Sequence, residues 1–312
     1  MKEVFAGKRF SPESGAILVD IEAILQRYSD QGYDLSLRQL YYQLVAADQL
    51  PKKWADPKTG STNNEKSYKN IGSLVSDARL AGLIDWDMIE DRGRGMVRLA
   101  HWESPADIVE IAARQFRIDK WLNQPVYVEV MVEKQALEGV LVPVCETLDV
   151  PFTANKGYSS SSALYKAGQR LREKLRADKE IHIIYLGDHD PSGIDMSRDV
   201  ADRLIQFARA DTSGSGTVHL HRVALNMDQI DELDPPENPA KLTDSRAQGY
   251  IARFGESSWE LDAIEPSALA ELVRRAVHDL LDVDQWGVDS AREAKMRANL
   301  LKFSKTYKSP KN

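Results

Sequence analysis

The chain has 312 residues, enough for about two domains, and its 42% hydrophobic content supports real cores and excludes a disordered chain. A single cysteine, Cys145, excludes an intrachain disulfide and a cysteine-based zinc site. The net charge of −7 argues against a polyanionic partner until it is resolved along the chain: residues 51–80 carry Lys52, Lys53, Lys58, Lys66, Lys69 and Arg79 against only Asp56, Glu65 and Asp77, and the tail 291–312 sets seven cations against Glu293.

Residues 1–10 read as an arm, without the apolar core of a signal peptide. Ser11-Pro12-Glu13-Ser14 starts a helix whose apolar positions Ile17, Leu18, Ile21, Ile24, Leu25 and Tyr28 recur at helical spacing. Ser36-Leu37-Arg38-Gln39 is a capping box opening a second helix, with Leu37, Leu40, Tyr41 and Leu44 on its core face. Tyr42 then points away from that face, one turn from Arg38. A polar loop spans 51–64. A third helix over 65–81 turns Tyr68, Ile71, Leu74, Val75 and Ala78 inward. An extended piece from Gly82 to Trp86, a turn at Asp91–Gly95 and a returning strand Met96–Leu99 follow. Three helices and a strand–turn–strand predict a winged helix-turn-helix over 1–104, with 65–81 as the recognition helix and Arg92 and Arg94 on the wing.

A connector helix is expected within 105–124, and after Pro125 the pattern changes. Strands at 126–132, 150–153, 181–186 and 217–225 alternate with helices at 135–147, 162–177 and 192–209, which predicts a mostly parallel α/β domain. A Pro-rich loop and two or three helices complete 125–312, ending in the basic tail. No apolar run approaches the roughly 20 residues of a membrane span.

Carboxylates stand at two strand ends of this domain, where open α/β sheets place ligands. Asp188 and Asp190 lie in Gly187-Asp188-His189-Asp190-Pro191-Ser192-Gly193, and Glu133 in Val132-Glu133-Lys134. Acids this close repel unless a cation lies between them, and an all-oxygen set suits Mg²⁺. Each also has a plainer reading, the Asp188–Asp190 stretch as a strand-end turn that caps the next helix and Glu133 as a solvent-facing strand end. Tyr42 equally reads as an amphipathic surface tyrosine. If it is used, Arg38 would lower its phenol pKa and grip a phosphate.

Taken in order, these pieces resemble a known family. Leu37-Arg38-Gln39-Leu40-Tyr41-Tyr42 resembles the catalytic motif of the topoisomerase VI A subunit and its meiotic double-strand-break relative, in which the second aromatic residue is the nucleophile. Val132-Glu133-Lys134 and Gly187–Gly193 look like the acidic motifs of that family's Toprim domain, and Asn155-Lys156-Gly157-Tyr158 resembles its Lys-Gly loop. The resemblance covers about residues 10–225 and is nearest to the minimal stand-alone A-type proteins of mobile elements. It implies a type IIB topoisomerase-like, Mg²⁺-dependent transesterase: Tyr42 and Arg38 catalytic; Glu133, Asp188 and Asp190 on the metal; a 5′-phosphotyrosyl link at each double-strand break. It further implies a homodimer in which the tyrosine of one protomer works beside the metal site of the other. Double-stranded DNA would meet Lys66, Lys69, Arg79, Arg92, Arg94, Lys156 and Gly157, placing the protein in the cytoplasm on the nucleoid. No P-loop is present, so strand passage would need a separate ATPase B-type subunit. Two stretches, Leu242–Arg246 and Ser258–Ala263, match no motif of that family. A Toprim nuclease that uses water, and a non-catalytic winged-helix DNA-binding protein, remain the alternatives.

Overall fold

The computed structural model describes residues 2–89, 99, 101–155, 160–209, 217–241 and 243–306. Its first part is helical. Helix α1 (Pro12–Asp30) starts where Ser11 caps the Ser14 N–H. Helix α2 (Leu37–Ala46) carries both halves of the Ser36/Gln39 capping box, and α3 (Glu65–Leu80) is capped by Asn64. Each such cap contributes about 1 kcal/mol by satisfying amides that the helix cannot. The three helices enclose a core of Ile17, Ile21, Leu25, Tyr28, Leu40, Tyr41, Leu44, Ile71 and Val75.

The expected extended piece after α3 is instead a turn, with Gly82 at φ +71°, followed by a 3-10 turn at Trp86–Met88. Arg79 produces this path: its guanidinium donates to the carbonyls of Trp86 and Ile89 and lies over the Trp86 ring. Ile89 then bridges Leu35 in parallel. The wing, with Arg92 and Arg94, lies outside the described residues, so what is described here is an N-terminal helical region.

Helix α4 (Pro105–Gln115) is shorter than expected. The chain leaves the helix at Phe116 because helix α11 (Val283–Thr306) takes over its polar groups. Glu293 accepts the Ile118 N–H, and Arg297 donates to the Phe116 carbonyl.

The α/β part is a four-stranded parallel sheet of β1 (Val126–Val132), β2 (Phe152–Ala154), β3 (Glu180–Leu186) and β4 (Val218–Ala224), in the order β2-β1-β3-β4. Both central strands are buried on both faces, as parallel strands must be. On one face Val128, Val130, Ile184 and Leu186 pack with α5 (Glu138–Leu148) and α10 (Pro266–His278). On the other, Tyr127, Met131, Ile183 and Tyr185 pack with α6 (Ser161–Arg176) and α7 (Pro191–Arg209). The C-terminal part exceeds the expected two or three helices. It has α8 (Met227–Leu233), α9 (Ala247–Phe254), α10 and α11, and the Pro-rich loop supplies β5 (Glu237–Pro239), antiparallel to β6 (Ser257–Trp259).

Candidate metal centre

The centre is built where β3 ends. Gly187-Asp188-His189 leaves the sheet and is fixed from both sides. His189 and Trp259 exchange backbone hydrogen bonds, each 2.9 Å, which ties the loop to β6. The Tyr250 hydroxyl lies 2.7 Å from His189 Nδ1 and donates toward the carbonyls of His189 and Ser257. On the sheet side, Arg222 of β4 donates to the carbonyls of Asp188 (2.6 Å), Gly187 (3.0 Å) and Gly193 (3.2 Å). The loop is wound so tightly that a Cβ at position 193 would lie 2.3 Å from the Asp188 carbonyl oxygen. Glycine is the residue that permits that approach.

Docking β6 to this loop delivers the acids that follow it. Asp188 Oδ1 accepts the Leu261 N–H at 2.7 Å, so Glu260 and Asp262 stand on either side of that anchor. Carboxylate oxygens of Asp188, Glu260 and Asp262 all fall within 4.8 Å of one another. The three can chelate a divalent cation. Asp188 and Asp262 are buried and Glu260 is half-buried, so their mutual repulsion is little screened.

Lys134 answers that repulsion. Its ammonium lies 2.9 Å from Asp188 Oδ2 and 3.0 Å from Asp262 Oδ1, and it also hydrogen-bonds Glu260. Burial acts to lower the Lys134 pKa, but Asp188, Asp262 and Glu260 override it and hold the group well above its ordinary value. Burial pushes Asp188 well up, and Glu260, Glu133 and Asp262 add to the rise while Lys134 opposes it. On Glu260 the burial penalty is outweighed by Lys134 and Arg38, and its pKa falls.

The donor set fits a hard divalent ion. It consists of oxygen only, an ammonium already stands among the three carboxylates, and one buried oxygen is left over. Asp262 Oδ2 sits 2.8 Å from Arg38 Nε yet receives no hydrogen bond of good geometry.

The residues expected on the metal are distributed differently. Asp188 is in the cluster. Glu133 lies behind it, accepting the Asp188 N–H at 3.0 Å; burial, then the charge of Asp190, raises its pKa. Asp190 caps α7 by accepting the Gly193 N–H at 2.6 Å, which is its plainer reading. Glu260 and Asp262 come from the stretch that matched no motif. Its Glu-x-Asp spacing between apolar residues, Trp259 and Leu261, was the available signal.

Tyr42 is not on an outward face but buried, at 6% exposure. A helical wheel gives α2 one partner, whereas the structure gives it two. The helical core covers one side, and the 3-10 turn Leu261–Ala263 covers the other, with Ala263 entering the N-terminal core. Tyr41 is structural, its hydroxyl accepting the Asn64 N–H at 2.8 Å. Arg38 does pull the Tyr42 pKa down, as expected, but it is outweighed. Burial, followed by the charges of Glu260 and Asp262, pushes the phenol up to about 12 against the opposing pull of Arg38 and Lys134. Arg38 itself spans the gap, 2.9 Å from Glu260 and 5.7 Å over the Tyr42 ring.

Tyr42, Arg38, Tyr68, Asn63, Lys241 and Glu260 line one cleft of about 460 Å³. The resemblance implied that tyrosine and acids meet across two protomers; here Tyr42 and one acid of the cluster, Glu260, line one cleft within a single chain. Of the expected DNA contacts, Lys66 and Lys69 are exposed on α3, with Lys69 paired to Glu65 at 2.6 Å. Arg79 is spent on the Trp86–Ile89 turn. Lys156 and Gly157, like Arg92 and Arg94, lie outside the described residues. No described helix is long and apolar enough to cross a membrane. Comparisons with known protein families, curated proteins and solved structures find no match.

Proposed function

We propose that the chain is a Mg²⁺-dependent DNA-cleaving transesterase of the topoisomerase VI A type. The observation that carries this reading is a cleft lined by Tyr42, Arg38 and Glu260, in which Glu260 belongs to the three-carboxylate cluster with the buried Asp188 and Asp262. Asp188, Glu260 and Asp262 would hold Mg²⁺, with Glu133 supporting Asp188 from behind. The ion would supply charge stabilisation to the oxygens of a scissile phosphate.

The rest is the work of the chain's own groups. Arg38 swings from the carboxylates to the phosphate once they have another counter-charge. Tyr42 Oη attacks phosphorus and gives its proton to water in the cleft. The bond from phosphorus to the 3′-oxygen breaks and that oxygen takes a proton from water, leaving a 3′-hydroxyl and a 5′-phosphotyrosine. Neutralising Glu260 and Asp262 removes two of the three influences that raise the phenol pKa, so the nucleophile is activated only in the loaded site. Lys66, Lys69 and Lys241 engage the DNA backbone, and a homodimer with two such clefts cuts both strands. The chain carries no P-loop, and a separate ATPase subunit would drive strand passage.

One observation favours a second reading, a nuclease in which water attacks: Tyr42 is buried and its phenol sits at about 12. Supercoiled plasmid incubated with the protein and Mg²⁺, then run on a denaturing gel with and without protease, separates the two. Linear DNA with protein on its 5′ ends, absent with Tyr42→Phe, supports the transesterase. Undiminished cleavage by Tyr42→Phe with free ends supports the nuclease.

A further inference from the structure

The opposite end of the sheet carries a second cluster of different chemistry. Three of the chain's six histidines gather there. His182 stands on β3, in register with His219 of β4, and His221 follows two residues later, opposite Ile184. With a two-residue side-chain period, all three project from the same face of two neighbouring parallel strands. His182 Nδ1 lies 2.8 Å from His221 Nε2. The two rings are within 7° of parallel with centroids 5.1 Å apart, a separation that places them edge to edge along the line joining the nitrogens. His219 stacks on His182 at 5.1 Å and 24°.

Nitrogen-to-nitrogen contact means that at least one of the pair presents a bare lone pair. His219 is oriented by a carboxylate, its Nε2 lying 2.7 Å from Glu180 Oε1 and 2.8 Å from Thr217 Oγ1. Donation from Nε2 to Glu180 leaves Nδ1 free, the arrangement in which metal-ligating imidazoles are usually held. His182 is buried, His219 is half-buried, and His221 and Glu180 are open to solvent, so an ion has a route in. Burial and the neighbouring imidazoles keep His182 and His221 below the ordinary histidine pKa.

We propose that His182, His219 and His221 form a binding site for a borderline divalent transition metal, Zn²⁺ being the reference ion, with Glu180 orienting His219 and solvent at the fourth position. An i, i+2 pair on one strand with a third imidazole on the next supplies three nitrogens to one side of an ion, and imidazole suits Zn²⁺ where carboxylates suit Mg²⁺. The site lies toward the amino end of β3, while Asp188 follows its carboxyl end at Leu186. Two nitrogens on tetrahedral Zn²⁺ sit about 3.3 Å apart. The His182–His221 pair would open by about half an ångström, and all three rings would turn to aim their lone pairs at the ion.

The test uses the full chain without a polyhistidine tag, stripped with EDTA and held in excess Mg²⁺ to occupy the carboxylates. Co²⁺ titration should give a visible absorption band saturating at one ion per chain, displaced by one Zn²⁺. His219→Gln and His221→Gln should each weaken Zn²⁺ binding at least tenfold, and the double variant should abolish it. Asp188→Asn/Glu260→Gln should leave it intact. His221 is exposed and His219 half-buried, so the variants should keep the fold, which circular dichroism checks. As a measurement independent of any variant, Cu²⁺ bound to the unmodified chain should show nitrogen hyperfine structure from three imidazoles in its paramagnetic resonance spectrum. Undiminished Zn²⁺ affinity in the double histidine variant, or an oxygen-only Cu²⁺ spectrum, overturns the proposal.

Discussion

The two ends of the parallel sheet solve opposite electrostatic problems. At the carboxyl end, Asp188, Glu260 and Asp262 are crowded around one ammonium, and the cluster is buried. At the amino end, three imidazoles and Glu180 share hydrogen bonds, largely in contact with water. The first cluster holds net negative charge in low dielectric, so it depends on a counter-ion, either Lys134 or a metal. The second can stay neutral and needs none. Binding a cation therefore relieves strain at one end and merely organises side chains at the other.

The largest effect should come from removing the built-in counter-ion. Lys134→Met leaves Asp188 without its cation, and Glu260 and Asp262 with Arg38 alone; it should lower stability by about 3–5 kcal/mol in EDTA, with a substantial part restored by Mg²⁺ in urea unfolding. At the amino end, His221→Gln should change stability by less than about 0.5 kcal/mol, as an exposed substitution does. Equal losses at both ends would erase the contrast.

Next in size is the loop that aims Asp188. Gly193→Ala forces a Cβ onto the Asp188 carbonyl and should cost about 1–3 kcal/mol, with weaker divalent-ion binding, whereas Gly249→Ala, with open space around it, should be near neutral.

The carboxyl end also carries two opposed pH responses. Burial, with Arg222 adding to it, pushes His189 down to about 4. The unfolded chain, with its histidine near 6.5, takes up that proton first. The contribution of His189 to stability is therefore complete above about pH 6.5 and lost as pH falls toward 4. Unfolding measured across this range should be flatter in His189→Gln. Asp188 works in the opposite sense. Its folded pKa lies above 3.8, so the folded state keeps a proton that the unfolded chain releases, and stability declines as pH rises above that value. Asp188→Asn should remove this decline.

The smallest effects concern DNA. Lys66→Ala should weaken binding uniformly across sequences and reduce the salt slope by about one. Arg79→Ala should act through stability, since its guanidinium holds the Trp86–Ile89 turn; thermal unfolding alongside binding separates the two.

Much of the architecture was legible because local rules governed it. Ser11 and Ser36 mark helix starts, and the apolar runs at 126–132 and 181–186 mark buried strands. Asp188 was legible for the same reason, standing directly after a strand. Glu260 and Asp262 were not. Their place depends on the His189–Trp259 bridge, a pairing across about 70 residues that no local pattern encodes. Tyr42 was misread outward because periodicity reveals that a helix has a buried face, not that a second element covers the other. Asp190 followed the common use of an aspartate before a helix.

The central claim is that Asp188, Glu260 and Asp262 hold the cation. Mn²⁺ titration of the full chain, followed by loss of the free-ion paramagnetic resonance signal, tests it directly. One Mn²⁺ should bind per chain, competed by Mg²⁺, with binding lost in Glu260→Gln/Asp262→Asn and retained in Asp190→Asn. Full binding in the first variant together with loss in the second would contradict the account and return the site to the strand-end acids alone.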